Sequence, residues 1–251
     1  MNSAHWLAYF QQNRLERWEP DWELPVSSPL ALTHKVAKSL SHFQLGESGE
    51  GSFLLAKARR SYSEDPDYCA ALNMFIKEEQ EHARLLARLV RRFEGRLVTR
   101  HWTHSLFRLL RRTLGATFEL QVLVIAELVG TSYYRLLRRH MADPVVAQVC
   151  DLLLRDEARH VEFHRDRFAA DQRAWLPLER AVWAFQFQVI FLGAATVAWM
   201  DHGRALRAAG GSRREFLDEA RGECIRLLDA VAIPAAPPHS RAPAAPNGGT
   251  P

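Results

Sequence analysis

The sequence predicts an all-α fold, a four-helix bundle with additional C-terminal helices. Three observations predict it. The middle of the chain is rich in Ala, Leu, Arg and Glu and has no proline between Asp67 and Asp143, a composition that favours helix. Asp65-Pro66 and Asp143-Pro144 each read as a tight connection with proline at the first position of the next helix. Glu79 and Glu157, His82 and His160, and Pro66 and Pro144 are each 78 positions apart. The chain thus repeats a unit of helix, Asp-Pro turn and helix, as a bundle with a pseudo-twofold axis requires.

The elements follow in order. Residues 1–29 form an N-terminal arm with Trp6, Trp18 and Trp22, interrupted by Pro20, Pro25 and Pro29, expected to pack on the bundle surface. The helical domain spans 30–232, with helices expected at 30–62, 67–94, 102–140, 144–171, 177–207 and 212–231. Gly95 stops the second helix, Gly210-Gly211 separates the last two, and Ser212 is suited to cap the final one. The Pro/Ala-rich tail, 233–251, has too little apolar surface to bury and is expected to be disordered.

Of the 251 residues, 47% are hydrophobic and 25% charged, as in an ordinary soluble globular protein. The net charge of +4 invites a nucleic-acid or membrane partner. However, Arg59-Arg60, Arg91-Arg92 and Arg138-Arg139 each fall near an expected helix end, where cations complement the helix dipole. No nucleic-acid partner is therefore expected. The three cysteines, Cys69, Cys150 and Cys224, form no metal or disulfide pattern, and residues 1–10 do not resemble a signal peptide; both fit a cytoplasmic protein. Ala181–Met200 carries no formal charge and is long enough to cross a bilayer. With no second such segment evident, it is read as a buried bundle helix and no membrane span is expected.

The chemistry lies on the apolar stripes. In the second helix Leu72, Phe75, Ile76, Ala83, Leu86, Leu89 and Val90 outline a stripe whose remaining places are Glu79 and His82. Glu78 and Glu81 fall off it and are expected in solvent. In the fourth helix Val146, Val149, Leu153, Val161 and Phe168 are interrupted by Glu157, His160 and His164. The third has Glu127 among Leu120, Leu123, Val124, Thr131 and Tyr134, and the first has Glu47 and Glu50 among Val36, Leu40, Phe43 and Leu54. Burying an unpaired carboxylate costs several kcal/mol, so four in one core require neutralisation. Two divalent ions balance four Glu, and the imidazoles complete their coordination. A carboxylate-rich set with one imidazole per metal suits iron or manganese better than structural zinc.

On these residues the chain resembles the ferritin-like superfamily, which includes ferritins, rubrerythrins, manganese catalases and di-iron oxygenases. The resemblance covers about residues 30–171 and rests on Glu50…Glu79-x-x-His82…Glu127…Glu157-x-x-His160. It implies a ferritin-like bundle with two metal ions held by Glu79, His82, Glu127, Glu157, His160 and a first-helix Glu. Glu50 matches Glu127 in distance from the following proline and is favoured. Glu47 lies 32 residues before Glu79, closer to the superfamily's usual spacing, and is the alternative. Glu119, two turns before Glu127, is too distant and is assigned a structural role.

An N-oxygenase branch of the superfamily carries an extra histidine before the Glu-x-x-His, where this chain has Leu153. His164, one turn after His160, is instead expected beside the metal ligands, and Tyr134 to line the site. The resemblance implies a non-haem di-iron enzyme that activates O2 to oxidise or oxygenate a small organic molecule, with an external electron donor and a possible homodimer. Two iron ions are expected, with manganese possible. The alternatives are an iron-handling or peroxide-removing protein of rubrerythrin or manganese-catalase type, a metal-free helical interaction protein, and, among oxygenases, a tRNA hydroxylase.

Overall fold

The computed structural model describes residues 1–102 and 116–232. They form helices α1 (Ser3–Leu15), α2 (Leu30–Glu47), α3 (Ser52–Ser61), α4 (Pro66–Arg92), α5 (Ala116–His140), α6 (Pro144–Asp171), α7 (Pro177–Ala209) and α8 (Arg213–Ala232), with a 3₁₀ turn at Gln172–Ala174 and no strand among the described residues. The first half of the expected 102–140 helix and the 233–251 tail lie outside the described residues.

Local chemistry sets the boundaries. Asp65 and Asp143 cap α4 and α6 by accepting from backbone N–H groups of the first turn, and each is followed by proline at the first helical position. The arginine pairs lie in the last turns of α3, α4 and α5, where their charge complements the dipole. Arg92 also donates to the carbonyls of Trp22 and Leu24, tying the N-terminal arm to the end of α4.

The expected 30–62 helix is divided. Gly46, Gly49 and Gly51 weaken helix between Glu47 and Ser52. Gly51 adopts φ +62, and a Cβ there would stand 2.5 Å from Ile76 Cδ1 of α4, so neither the conformation nor the space admits a side chain. The division ends α2 at Glu47 and leaves Glu50 in the connection.

α2 pairs with α4, and α5 with α6. The pairs share a core that includes Leu40, Leu72, Phe75, Leu86, Val124, Leu128, Val149 and Leu153. α7 packs on α5 and α2, and α8 lies across α5 and α6. α1 packs on α4, inserting Trp6 and Phe10 beside Phe163, and Trp6 Nε1 donates to Asp166 at 3.0 Å. The arm therefore contributes a helix and two core aromatics.

α7 departs from the expected buried helix. Trp183, Phe187, Phe191 and Trp199 face the core, but Leu178, Val182, Phe185, Val189, Leu192 and Met200 face outward and are 55–73% exposed. By length and composition a second helix, Thr117–His140, also suffices to cross a membrane, correcting the expectation of a single such segment; 89% of its apolar window is buried, as in a core helix.

Candidate metal centre

Glu79 and His82 of α4 meet Glu157 and His160 of α6 across the bundle, and all four are buried. His160 Nδ1 lies 2.9 Å from Glu79 Oε1 and 3.5 Å from Glu157 Oε2; His82 Nδ1 lies 3.5 Å from both Glu79 Oε1 and Glu157 Oε1. One donor atom from each residue falls within 4.8 Å of the others. The 78-residue repeat thus becomes a spatial pseudo-twofold, with each motif's histidine facing both motif glutamates.

The residue before each motif glutamate crosses to the opposite helix. His82 Nε2 lies 3.1 Å from Asp156 Oδ2, and His160 Nε2 lies 2.9 Å from Glu78 Oε2. These carboxylates fix the outer nitrogens and turn both Nδ1 atoms inward, as partners of metal-binding histidines do. Glu78 is buried, which corrects its expected exposure. The arm covers this side of α4: Arg17 bridges Glu78 (3.2 Å) and Asp156 (2.5 Å), and Asn13 donates to both. Asp156 was not singled out from the sequence, although it stands 78 positions after Glu78. Extending the repeat to acid-Glu-x-x-His would have found the pair.

The flanking helices contribute one carboxylate each. Glu127 of α5 is buried and lies 3.9 Å from His160 Nδ1. On α2, Glu47 is the residue at the centre: its carboxyl interacts with those of Glu79, Glu157 and Glu127, and Tyr134 Oη donates to it at 3.4 Å. Glu50 is exposed in the connection between α2 and α3. The preference for Glu50 is therefore corrected, because it assumed one continuous helix through residue 62.

The electrostatics are those of a site whose metal-free neutralisation comes from protons. Burial and the neighbouring Glu127 charge push Glu157 up to about 8. Burial disfavours a charge on Glu127, but the neighbouring Glu157 carboxyl and His160 imidazole prevail and hold it at about 2. Burial and the charge of Glu79 push Glu47 well above the usual carboxylate range. For His82 burial opposes protonation, yet Asp156 and Glu157 raise it to about 10; His160 is raised against burial by Glu79 and Glu127. Asp156 and Glu78 are held down, against burial, chiefly by their hydrogen bonds to the two histidines.

The residues fit a metal pair. Glu79 Oε1, Glu157 Oε2 and both Nδ1 atoms are buried without a hydrogen bond of good geometry, a costly state for polar atoms unless they bind something else. They converge with Glu127 and Glu47, which gives four carboxylates and two imidazoles, the donor set of paired metals in helical bundles.

The surroundings are apolar. Phe75 packs edge-on against His160 (4.7 Å) and His164 (4.9 Å), with Phe10 and Phe163 behind. His164 is fully buried one turn beyond His160, and its charge would help hold Glu127 down. Tyr134 is buried beside Glu47, and Glu119 pairs away from the centre with Lys57 Nζ at 2.9 Å.

Neither a curated protein nor a solved structure matches the chain. Residues 52–223, well over half of the chain, match the family model described as p-aminobenzoate N-oxygenase AurF. The match includes Glu79, His82, Glu127, Glu157 and His160 and begins after Glu47. With no strand among the described residues and this match over most of the described helices, the chain belongs to the p-aminobenzoate N-oxygenase AurF family of di-iron ferritin-like oxygenases.

Proposed function

We propose that this chain is a di-iron N-oxygenase that adds oxygen from O2 to the nitrogen of a small organic amine. The observation that carries the reading is the reciprocal pair of Glu-x-x-His motifs closed by Glu127 and Glu47, in a chain whose family model is named for N-oxygenation. Glu79, His82, Glu127, Glu157, His160 and Glu47 would hold two iron ions, which supply O2 activation when bound. Balance requires an external donor: amine, O2, two electrons and two protons give hydroxylamine and water.

The chain's own residues have distinct tasks. Asp156 and Glu78 hold the two imidazoles in one orientation, and Arg17 bridges the two acids from the arm. Phe75, Phe10 and Phe163 keep water away from the α6 side. Tyr134 donates a long hydrogen bond to Glu47 and stays protonated, because burial and the surrounding carboxylates push its hydroxyl well above its usual value. With all its carboxyl neighbours on one side and partial exposure on the other, Glu47 marks the edge where substrate would enter.

The test is single-turnover oxidation. Iron-loaded protein is reduced chemically, mixed with p-aminobenzoate and ¹⁸O2, and the products are resolved by mass. A labelled hydroxylamino or nitro product is expected. Oxygen consumption with label only in water, across a panel of aromatic and aliphatic amines, would reject N-oxygenation. Manganese uptake with peroxide dismutation would favour the catalase-type alternative.

A further inference from the structure

A second group of metal-type donors lies outside the buried centre. His42 of α2 and Asp201 and His202 of α7 place one donor atom each within 4.8 Å of the others, and none serves the Glu/His centre. Asp201 is the hub. Its Oδ2 lies 2.9 Å from His42 Nδ1 and 3.6 Å from His202 Nε2, while its Oδ1 lies 3.6 Å from His101 Nε2. For bonds of about 2.0–2.1 Å to a tetrahedral ion, neighbouring donors stand about 3.3 Å apart. The two spacings to Oδ2, 2.9 and 3.6 Å, bracket that value. His42 is within hydrogen-bond distance of Asp201, whereas His202 Nε2 approaches the same oxygen at 3.6 Å, too long for a hydrogen bond.

The ring orientations point the same way. His202 is held from behind: its Nδ1 and Ser39 Oγ are 2.8 Å apart, and Phe43 stacks on its face at 4.3 Å. With Nδ1 engaged by the serine, Nε2 is the nitrogen turned to Asp201, the arrangement by which an outer partner presents a neutral imidazole to a metal. His42 follows Ser39 by three residues on α2, so one helix face supplies both a donor and the prop for another. His42 and His101 stack at 3.9 Å. The four side chains are 9–17% exposed, leaving a path for an ion from solvent.

We propose that His42, Asp201 and His202 form a mononuclear site for a divalent transition-metal ion of the zinc class, with a fourth position open to water. The donor sets separate the two sites. The buried centre is dominated by carboxylates and suits iron or manganese; this one is dominated by imidazole with a single carboxylate and suits zinc or cobalt. An ion here cross-links α2 to α7 at a point five residues before Glu47, bracing the end of α2 that enters the other centre.

The probe is cobalt(II), added to full-length protein whose Glu/His centre has been filled with iron. One further cobalt per chain is expected, with the intense visible bands of a four-coordinate ion, displaced stoichiometrically by zinc. Asp201→Asn and His42→Gln should each weaken cobalt binding by at least about 100-fold, beyond what loss of an outer partner costs. Glu157→Gln, which alters only the other centre, should keep the cobalt bands. The site is overturned if the wild type takes up no cobalt beyond its iron, or if Asp201→Asn binds it as tightly as the wild type. Bands lost in Glu157→Gln but kept in His42→Gln would place the ion in the buried centre and equally overturn it. Circular dichroism of each variant establishes that the helices are retained.

Discussion

The two carboxylates that close the buried centre come from helices that treat them differently. Glu127 lies in the middle of α5, buried, with three turns or more of helix on either side. Glu47 is the last residue of α2, beside a glycine-rich connection, and is partly exposed. Their protonation diverges accordingly: against burial, Glu127 is held at about 2 by Glu157 and His160, whereas burial and Glu79 push Glu47 well above the usual range. Two carboxylates of one type thus acquire unequal protonation from their different neighbours. On the proposed reading, the α5 side would be a fixed anchor that keeps its charge without metal, and the α2 side an adjustable edge that takes up its charge on binding one.

The largest test of that difference is to remove each charge while keeping the shape. Glu127→Gln should weaken metal binding by at least about 100-fold, because an amide supplies no charge to balance the ions in place of the carboxylate held at about 2. Glu47→Gln should cost about tenfold and leave the first metal bound. Metal content by elemental analysis and affinity by chelator competition measure both. The reverse order would break the comparison.

Arg17 comes next, because it serves both halves at once. Glu78 and Asp156 are buried acids on opposite sides of the pseudo-twofold, and one guanidinium bridges them. Arg155 also reaches Asp156, at 3.0 Å, so Glu78 depends more on Arg17. Arg17→Met should destabilise the protein by about 2–3 kcal/mol, as expected when a largely buried charge loses its partner. Chemical denaturation measures the loss. A change under about 0.5 kcal/mol would show that the arm is not part of the centre's electrostatics.

These contrasts were unequally legible in the sequence. The motif glutamates and histidines, Glu127 and both Asp-Pro turns could be read because each follows from helical period or proline geometry. Two features could not, for physical reasons. Glu78 lies off the apolar stripe; His160 of α6 and the arm residues Asn13 and Arg17 together hold it inward. Glu50 matched Glu127 in register, but the register is lost where Gly51 takes positive φ against Ile76. In both cases the missing information was tertiary: which surface a neighbouring segment covers, and where a weak helix breaks. Similarly, the absence of charge in Ala181–Met200 gave no sign that one face of α7 would stay exposed.

The two sides should also separate in proton accounting. Metal binds only deprotonated ligands, so groups whose metal-free values are raised must give up protons on loading. At pH 7 Glu157, near 8, and His82, near 10, both hold protons; Glu127, near 2, does not. Raising the pH from 6 toward 8 removes competing protons, so affinity should rise with pH, and loading at pH 7 should acidify a weakly buffered solution. A pH indicator measures the release. In Glu127→Gln the charge that raises Glu157 is gone, so Glu157 ionises at lower pH and fewer protons should be released. An unchanged count would mean that the two carboxylates are not coupled.

The smallest effect belongs to Tyr134, and it bears on how loosely the α2 edge is held. Its hydroxyl donates to Glu47 at 3.4 Å, well beyond the usual 2.7–2.8 Å for such a bond. A bond that long restrains Glu47 only weakly, so Tyr134→Phe should cost less than about 1 kcal/mol, under about fivefold in affinity for the more weakly bound metal. The tighter metal, anchored by Glu127, should be unaffected. Stepwise chelator competition resolves the two. A loss shared equally by both metals would mean that Tyr134 acts through the bundle core, where its ring packs on Phe43, and the unequal division between anchor and edge would fail at the residue where it should be cleanest.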